Sequence, residues 1–180
     1  IFLCISPPLF VCFSFFNTDT GVWLMKKLLT TLVILTGLIG SGGAVWAQDF
    51  DKGMKAAQSG DFATAMKEWK PLAEQGNAVA QYNLALMYDN GEGVTLDDAE
   101  AVKWYRKAAE QGNATAQFNL ALMYGEGTGV LQDTIAAHMW FNISVANGNK
   151  GAVKNRDIAA GMLSSSGVEE AQKRAKRCMS

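Results

Sequence analysis

From Phe50 onward, apolar residues recur at helical spacing. Phe50, Met54 and Ala57 form an i, i+4, i+7 stripe that predicts an opening helix. Over Asp97–Gln111, Ala101, Val102, Trp104, Tyr105, Ala108 and Ala109 cover one arc of a 100° wheel. Glu100, Lys103, Arg106, Lys107 and Glu110 cover the other, so this is an outer helix with one buried face. Ala78–Asp89 is apolar nearly all round, interrupted mainly by Gln81 and Asn83. Such a helix is sandwiched between neighbours or lines a groove. No strand-like alternation appears after Ala47.

The pattern repeats. Ala78–Asn113 and Ala114–Asn149 align without gaps over 36 positions, 17 of them identical. The period reaches back one degenerate unit: Asp61, Asp97 and Asp133 are in register, as are Ala65, Ala101 and Ala137, and the aromatics Trp69, Tyr105 and Phe141. Gly76-Asn77, Gly112-Asn113 and Gly148-Asn149 close the units.

Local chemistry explains these positions. Asp97 suits an N-cap, with Glu100 placed as in a capping box. Gly112 fits a left-handed C′ position, and Asn113 can cap the helix that follows. The connection Asn90–Leu96 is longer and Gly-rich. Each unit is therefore helix A, loop, helix B, tight turn. Pro71 removes one hydrogen bond from the helix Asp61–Gln75 and should kink it. A further A-like helix should run from Asn149 to about Leu163, and Ser166 with Glu169 reads as a second capping box. The last helix keeps Val168, Ala171, Ala175 and Cys178 on one face, which argues for burial of Cys178. The total is about eight helices, an all-α architecture.

Ahead of this domain the chain changes character. Met25, Lys26-Lys27, the apolar run Leu28–Ile39 and the ending Val45-Trp46-Ala47 form a secretory signal peptide over 25–47, with cleavage after Ala47. Without Cys at that junction, no lipid anchor is expected, and Leu28–Ile39 is short for a stable membrane span. Residues 1–24 are read as an upstream segment translated beyond the natural start. The basic pair and short core have a bacterial character, so localisation is expected to be periplasmic or secreted.

Charge is unevenly spread. Residues 48–149 carry 7 basic and 13 acidic side chains, whereas 150–180 carry 7 basic and 3 acidic. No stripe is basic enough to make nucleic acid the main partner. Only Cys178 follows the signal segment, so the fold must hold by apolar burial rather than by internal disulfides.

The sequence presents no local catalytic or metal-binding constellation. His138 is the one histidine and falls where the first repeat has Val102, so a packed side chain is the simpler reading than a ligand or base. Metal-ligand spacing is absent. Gly125–Gly129 lacks the strand and the Lys-Ser/Thr of a phosphate loop, and aligns with the repeat loop Asp89–Gly93. Asp97-Asp98 and Glu169-Glu170 sit at helix starts. No catalytic residue, metal or cofactor is expected.

The motif Ala-x-Ala-Gln-(Tyr/Phe)-Asn-Leu-Ala-Leu-Met-Tyr, then Gly-x-Gly-Val, Asp, Ala, Trp-(Tyr/Phe) and Lys-Ala-Ala-Glu-Gln-Gly-Asn resembles the Sel1-like repeat, a relative of the tetratricopeptide repeat. The resemblance is specific over Ala78–Asn149 and weaker over 50–77 and 150–178. It divides 48–180 into a degenerate unit 48–77, repeats 78–113 and 114–149, and capping helices 150–180. It implies a short right-handed α/α superhelix with A helices on the concave side. It also implies an adaptor or scaffold role; the chain is expected to be a monomer that acts on an unidentified protein or peptide. The second repeat departs at Asn142–Asn147, where Arg-Lys-Ala-Ala-Glu-Gln would be expected; this suggests altered packing or contact there.

Asn83 and Asn119 are in register, each polar on an apolar helix A, and within 40° of Met87 and Met123 on the wheel. If this face lines the groove, the amides could pair with the backbone of an extended peptide, with methionines adapting to its side chains. Alternatively, each Asn bonds a neighbouring unit and stabilises stacking. Two other functions are open to such a chain. Cysteine-rich members of the resembled family are associated with β-lactam binding or hydrolysis, but they carry paired cysteines that this chain lacks. A regulatory partner of an envelope enzyme could instead use the acidic body or the basic last helix.

Overall fold

A computed structural model describes residues 50–179. The segment 1–24 and the signal peptide 25–47 lie outside the described residues. Among the described residues there are eight α-helices and no strand: α1 (50–58), α2 (Phe62–Glu74), α3 (Ala78–Asn90), α4 (Asp98–Glu110), α5 (Ala114–Glu126), α6 (Thr134–Ala146), α7 (Ala152–Gly161) and α8 (Ser165–Met179). None is long and apolar enough to cross a membrane.

Helix starts follow the side chains that accept from exposed first-turn amides. Asp61, Asp97 and Asp133 accept from Thr64, Glu100 and Ala136, three residues on in each case. Asn77 and Asn113 do the same for Ala80 and Ala116. The box at Asp97 is only half formed, because the Glu100 carboxylate turns outward to Lys103 at 2.7 Å. At α8 the expected box does not form. Ser164, not Ser166, caps the helix, its Oγ accepting from Gly167 N–H at 3.2 Å. α7 is also shorter than expected, ending at Gly161.

The B helices end in a tight turn. In α4, Asn113 N–H donates to Ala108 and Gly112 N–H to Ala109, and Gly112 has φ 87°. That left-handed backbone disfavours any side chain, which is why glycine recurs there. The inter-helix loops also use glycine for close approach. A Cβ built on Gly129 would lie 2.4 Å from the Asp98 carbonyl, so this loop can press on the start of α4 only without a side chain.

Successive helices pack as α2 on α3, α3 on α4, α4 on α5, and α5 on α6. This is a helical repeat solenoid. Each unit sets an aromatic ring of helix A against one of helix B: Phe50 with Trp69, Tyr82 with Tyr105 and Phe118 with Phe141, at 6.1, 6.0 and 5.6 Å between centroids. Between units the contact positions are small. Ala65, Ala80, Ala85, Ala101, Ala116, Ala121 and Ala152 are all fully buried, which lets helices approach closely.

α7 and α8, the last two helices, both pack on α6. This accounts for the departure at Asn142–Asn147. The outer face of α4 carries exposed Lys103 and Lys107, but the corresponding Met139 and Ile143 of α6 are buried. α8 buries Ala171 and Ala175, and Arg174 reaches Asp133 at the start of α6 at 3.9 Å. Cys178 is exposed, against expectation. The two residues before it, Lys176 and Arg177, are exposed too, so the last turn runs past the buried contact.

Candidate partner-binding face

One side of each A helix stays open. On α3, Val79, Tyr82, Asn83 and Leu86 are exposed or half-buried, whereas Ala80, Leu84, Ala85 and Met87 are buried. The open positions follow i, i+3, i+4, i+7 and therefore form one stripe. On α5 the same register gives Thr115, Phe118, Asn119 and Leu122. α7 continues it with half-buried Asn155 and with Ile158, which is 54% exposed. Thus the chain holds three parallel rows, each with an Asn at the same place.

The four residues singled out from the sequence divide. Asn83 and Asn119 lie in the open rows. Met87 and Met123 do not: they are 2% and 5% exposed and belong to the core. One helical turn beyond each Asn, the side chain has advanced about 40° around the axis. That step carries it off the open face and into the core, so these methionines have no free surface to offer a partner.

The Asn amides face the preceding unit. Asn119 Nδ2 donates to Tyr105 Oη at 3.0 Å, and Tyr105 donates to Asp89 Oδ2 at 2.9 Å. Burial is the main reason the Tyr105 phenol holds its proton far above the usual range; the Asn119 hydrogen bond opposes this and the Asp89 carboxylate adds to it. Asn83 Nδ2 points to Met54 Sδ at 3.8 Å, a weak contact with α1. Among the described residues neither Asn Oδ1 receives a hydrogen bond. Each amide therefore serves stacking through nitrogen and leaves an acceptor on the open face.

A second polar pair has no place on that face. Gln117 is buried, its Nε2 donating to Ala109 O at 2.9 Å and its Oε1 accepting from Asn147 Nδ2 at 3.0 Å. Gln81 repeats this with Ala73 O and Gln111 Nε2, at 2.9 and 2.6 Å. Each A-helix glutamine thus ties the end of the preceding B helix to the end of its own. The sequence signal was the identical register of Gln81 and Gln117. Their apolar surroundings hid their role.

Among the described residues no group of three His, Cys, Asp or Glu side chains converges as a metal site. His138 is 3% exposed, and its Nδ1 lies 3.5 Å from Asn142 Nδ2.

The Sel1 repeat family matches residues 78–113 and 114–149. Among solved structures, the chain is similar to c5321, a protective antigen of uropathogenic Escherichia coli strains displaying an SLR fold. The TM-score is 0.71 and identity 28%, over 74% of this chain and 30% of that one. It is also similar to a Sel1 repeat protein from Oxalobacter formigenes, with TM-score 0.61 and 29% identity, over 79% of this chain and 60% of that one. The matched region spans less than two thirds of either protein. No curated protein matches the sequence. Sel1 repeats generally mediate protein–protein interaction, and residues 78–149 of this chain are two Sel1 repeats within a helical repeat solenoid.

Proposed function

We propose that this chain is an exported interaction module that holds a peptide or protein partner against the open face of its A helices. One observation carries the reading: aligned rows on α3 and α5 present Val79, Tyr82, Asn83, Leu86 and Thr115, Phe118, Asn119, Leu122, with apolar surface and open amide acceptors interleaved. Aromatic side chains supply contact area at low entropic cost, and amide oxygens can accept from an extended backbone. The signal-like segment 25–47 supports action in the periplasm or outside the cell. The partner works on a scaffold, and no chemistry is assigned to the chain itself.

Paired charge substitution tests this. Val79→Glu with Thr115→Glu places carboxylates in the first turns of α3 and α5, where helix dipoles favour them. Helicity should be unchanged, and recovery of cross-linked partner from envelope extracts should fall at least about tenfold. Lys103→Glu with Lys107→Glu, on the outer face of α4, should leave recovery intact. Equal recovery from both variants would contradict the reading.

A further inference from the structure

From the first repeat into the second runs the hydrogen-bonded chain Asp89–Tyr105–Asn119, from carboxylate to hydroxyl to amide. Advancing each member by one 36-residue period gives Gly125, Phe141 and Asn155. The carboxylate and the hydroxyl are both missing, and the amide remains. All three positions line a single pocket of about 220 Å³ between α5, α6 and α7. Leu122, Glu126 and Met162 are among the other residues that line it. Among the described residues, the Asn155 amide and the Glu126 carboxylate make no hydrogen bond or ion pair. The exposed Ile158 and Met162 also edge this pocket, at 54% and 70% exposure.

We infer that this pocket receives a tyrosine side chain from the partner, which supplies the hydroxyl that the second repeat lacks. Size fits one ring. A cavity of about 150 Å³ accepts benzene, whereas pockets for whole small ligands start at about 300 Å³. Phe141 and Leu122 offer the ring an apolar wall. The hydroxyl accepts from Asn155 Nδ2, as Tyr105 does from Asn119, and donates to Glu126, whose carboxylate stands one residue beyond the position of Asp89. The inference rests on the proposed binding face and adds the chemistry of its anchor.

The test uses p-cresol, the tyrosine side chain as a free molecule, and toluene, the same ring without hydroxyl. In NMR titrations of the protein, p-cresol should shift backbone amides around Gly125, Phe141 and Asn155. Toluene, which makes neither of the hydroxyl's hydrogen bonds, should bind at least about fivefold more weakly. Asn155→Ala should lower p-cresol binding part of the way to the toluene level, because the bond to Glu126 remains. Gly125→Asp with Phe141→Tyr rebuilds the first repeat's chain inside the second; it should abolish p-cresol binding while circular dichroism stays unchanged. Equal binding of the two ligands, or p-cresol binding retained by the double variant, would overturn the inference. The two proposals can fail separately. Partner recovery lost with Val79→Glu and Thr115→Glu but unaffected by Gly125→Asp with Phe141→Tyr would remove the tyrosine anchor and keep the face. Recovery lost only with the second pair would do the opposite.

Discussion

His138 shows how a single side chain registers its surroundings. It lies on α6, where the first repeat has Val102, and is as buried as that valine. Burial holds its pKa below the ordinary imidazole value of 6.5; Arg156 on α7 lowers it further and Asp157 opposes. The unfolded chain therefore takes up the proton first as pH falls. Stability contributed by neutral His138 is complete above pH 6.5 and is lost as pH falls from there through the lowered folded value. Denaturant midpoints measured between pH 7.5 and 5 should decline for the native protein and decline less for His138→Gln. Parallel declines would show that other groups govern this range. Asp61 and Glu170 do not confuse the test, because both are held below their ordinary carboxylate values and titrate at lower pH.

At the level of elements, the solenoid is held by alanine seams and by glutamine staples. Gln117→Ala removes one of the donors to the Ala109 carbonyl, which keeps Gly112 N–H, takes the acceptor from Asn147 Nδ2 and opens a void between α4, α5 and α6. The expected cost is about 3 kcal/mol, read as a lowered denaturant midpoint at constant m-value. Asn119→Ala removes one hydrogen bond to Tyr105 and should cost about 1 kcal/mol. The reverse ranking would mean that the Asn row, not the Gln row, joins the units. Much of this was legible beforehand. The 36-residue register gave the helix pairs, and Asp, Asn and Gly marked their ends because caps and left-handed turns are local chemistry. The departure at Asn142–Asn147 signalled a changed surface, and α8 covers it. Burial of Met87 and Met123 was not legible, because a helical wheel gives angles about one axis and says nothing of where the neighbours stand. The same holds for Cys178: it continues the stripe of Ala171 and Ala175, but the buried contact ends before it. The missing Asp and Tyr of the second repeat were visible as Gly125 and Phe141. They acquired meaning only once Asp89, Tyr105 and Asn119 proved to be bonded.

At the scale of the molecule, two repeats stand between a degenerate first unit and two helices that both fold onto α6. The outer surface of α4 is charged, and the A helices keep an apolar, amide-studded side open. An array of this kind recognises partners through the face that its stacking leaves unpaired. Site-specific photo-cross-linking tests that claim most directly. A photoreactive amino acid is placed singly at Val79 or Thr115 on the open face, or at Lys103 on the outer face, and irradiated with envelope extract. The account predicts one shared cross-linked band from Val79 and Thr115, suppressed by excess unlabelled protein and absent from Lys103. A competed band from Lys103 with none from Val79 or Thr115 would contradict it.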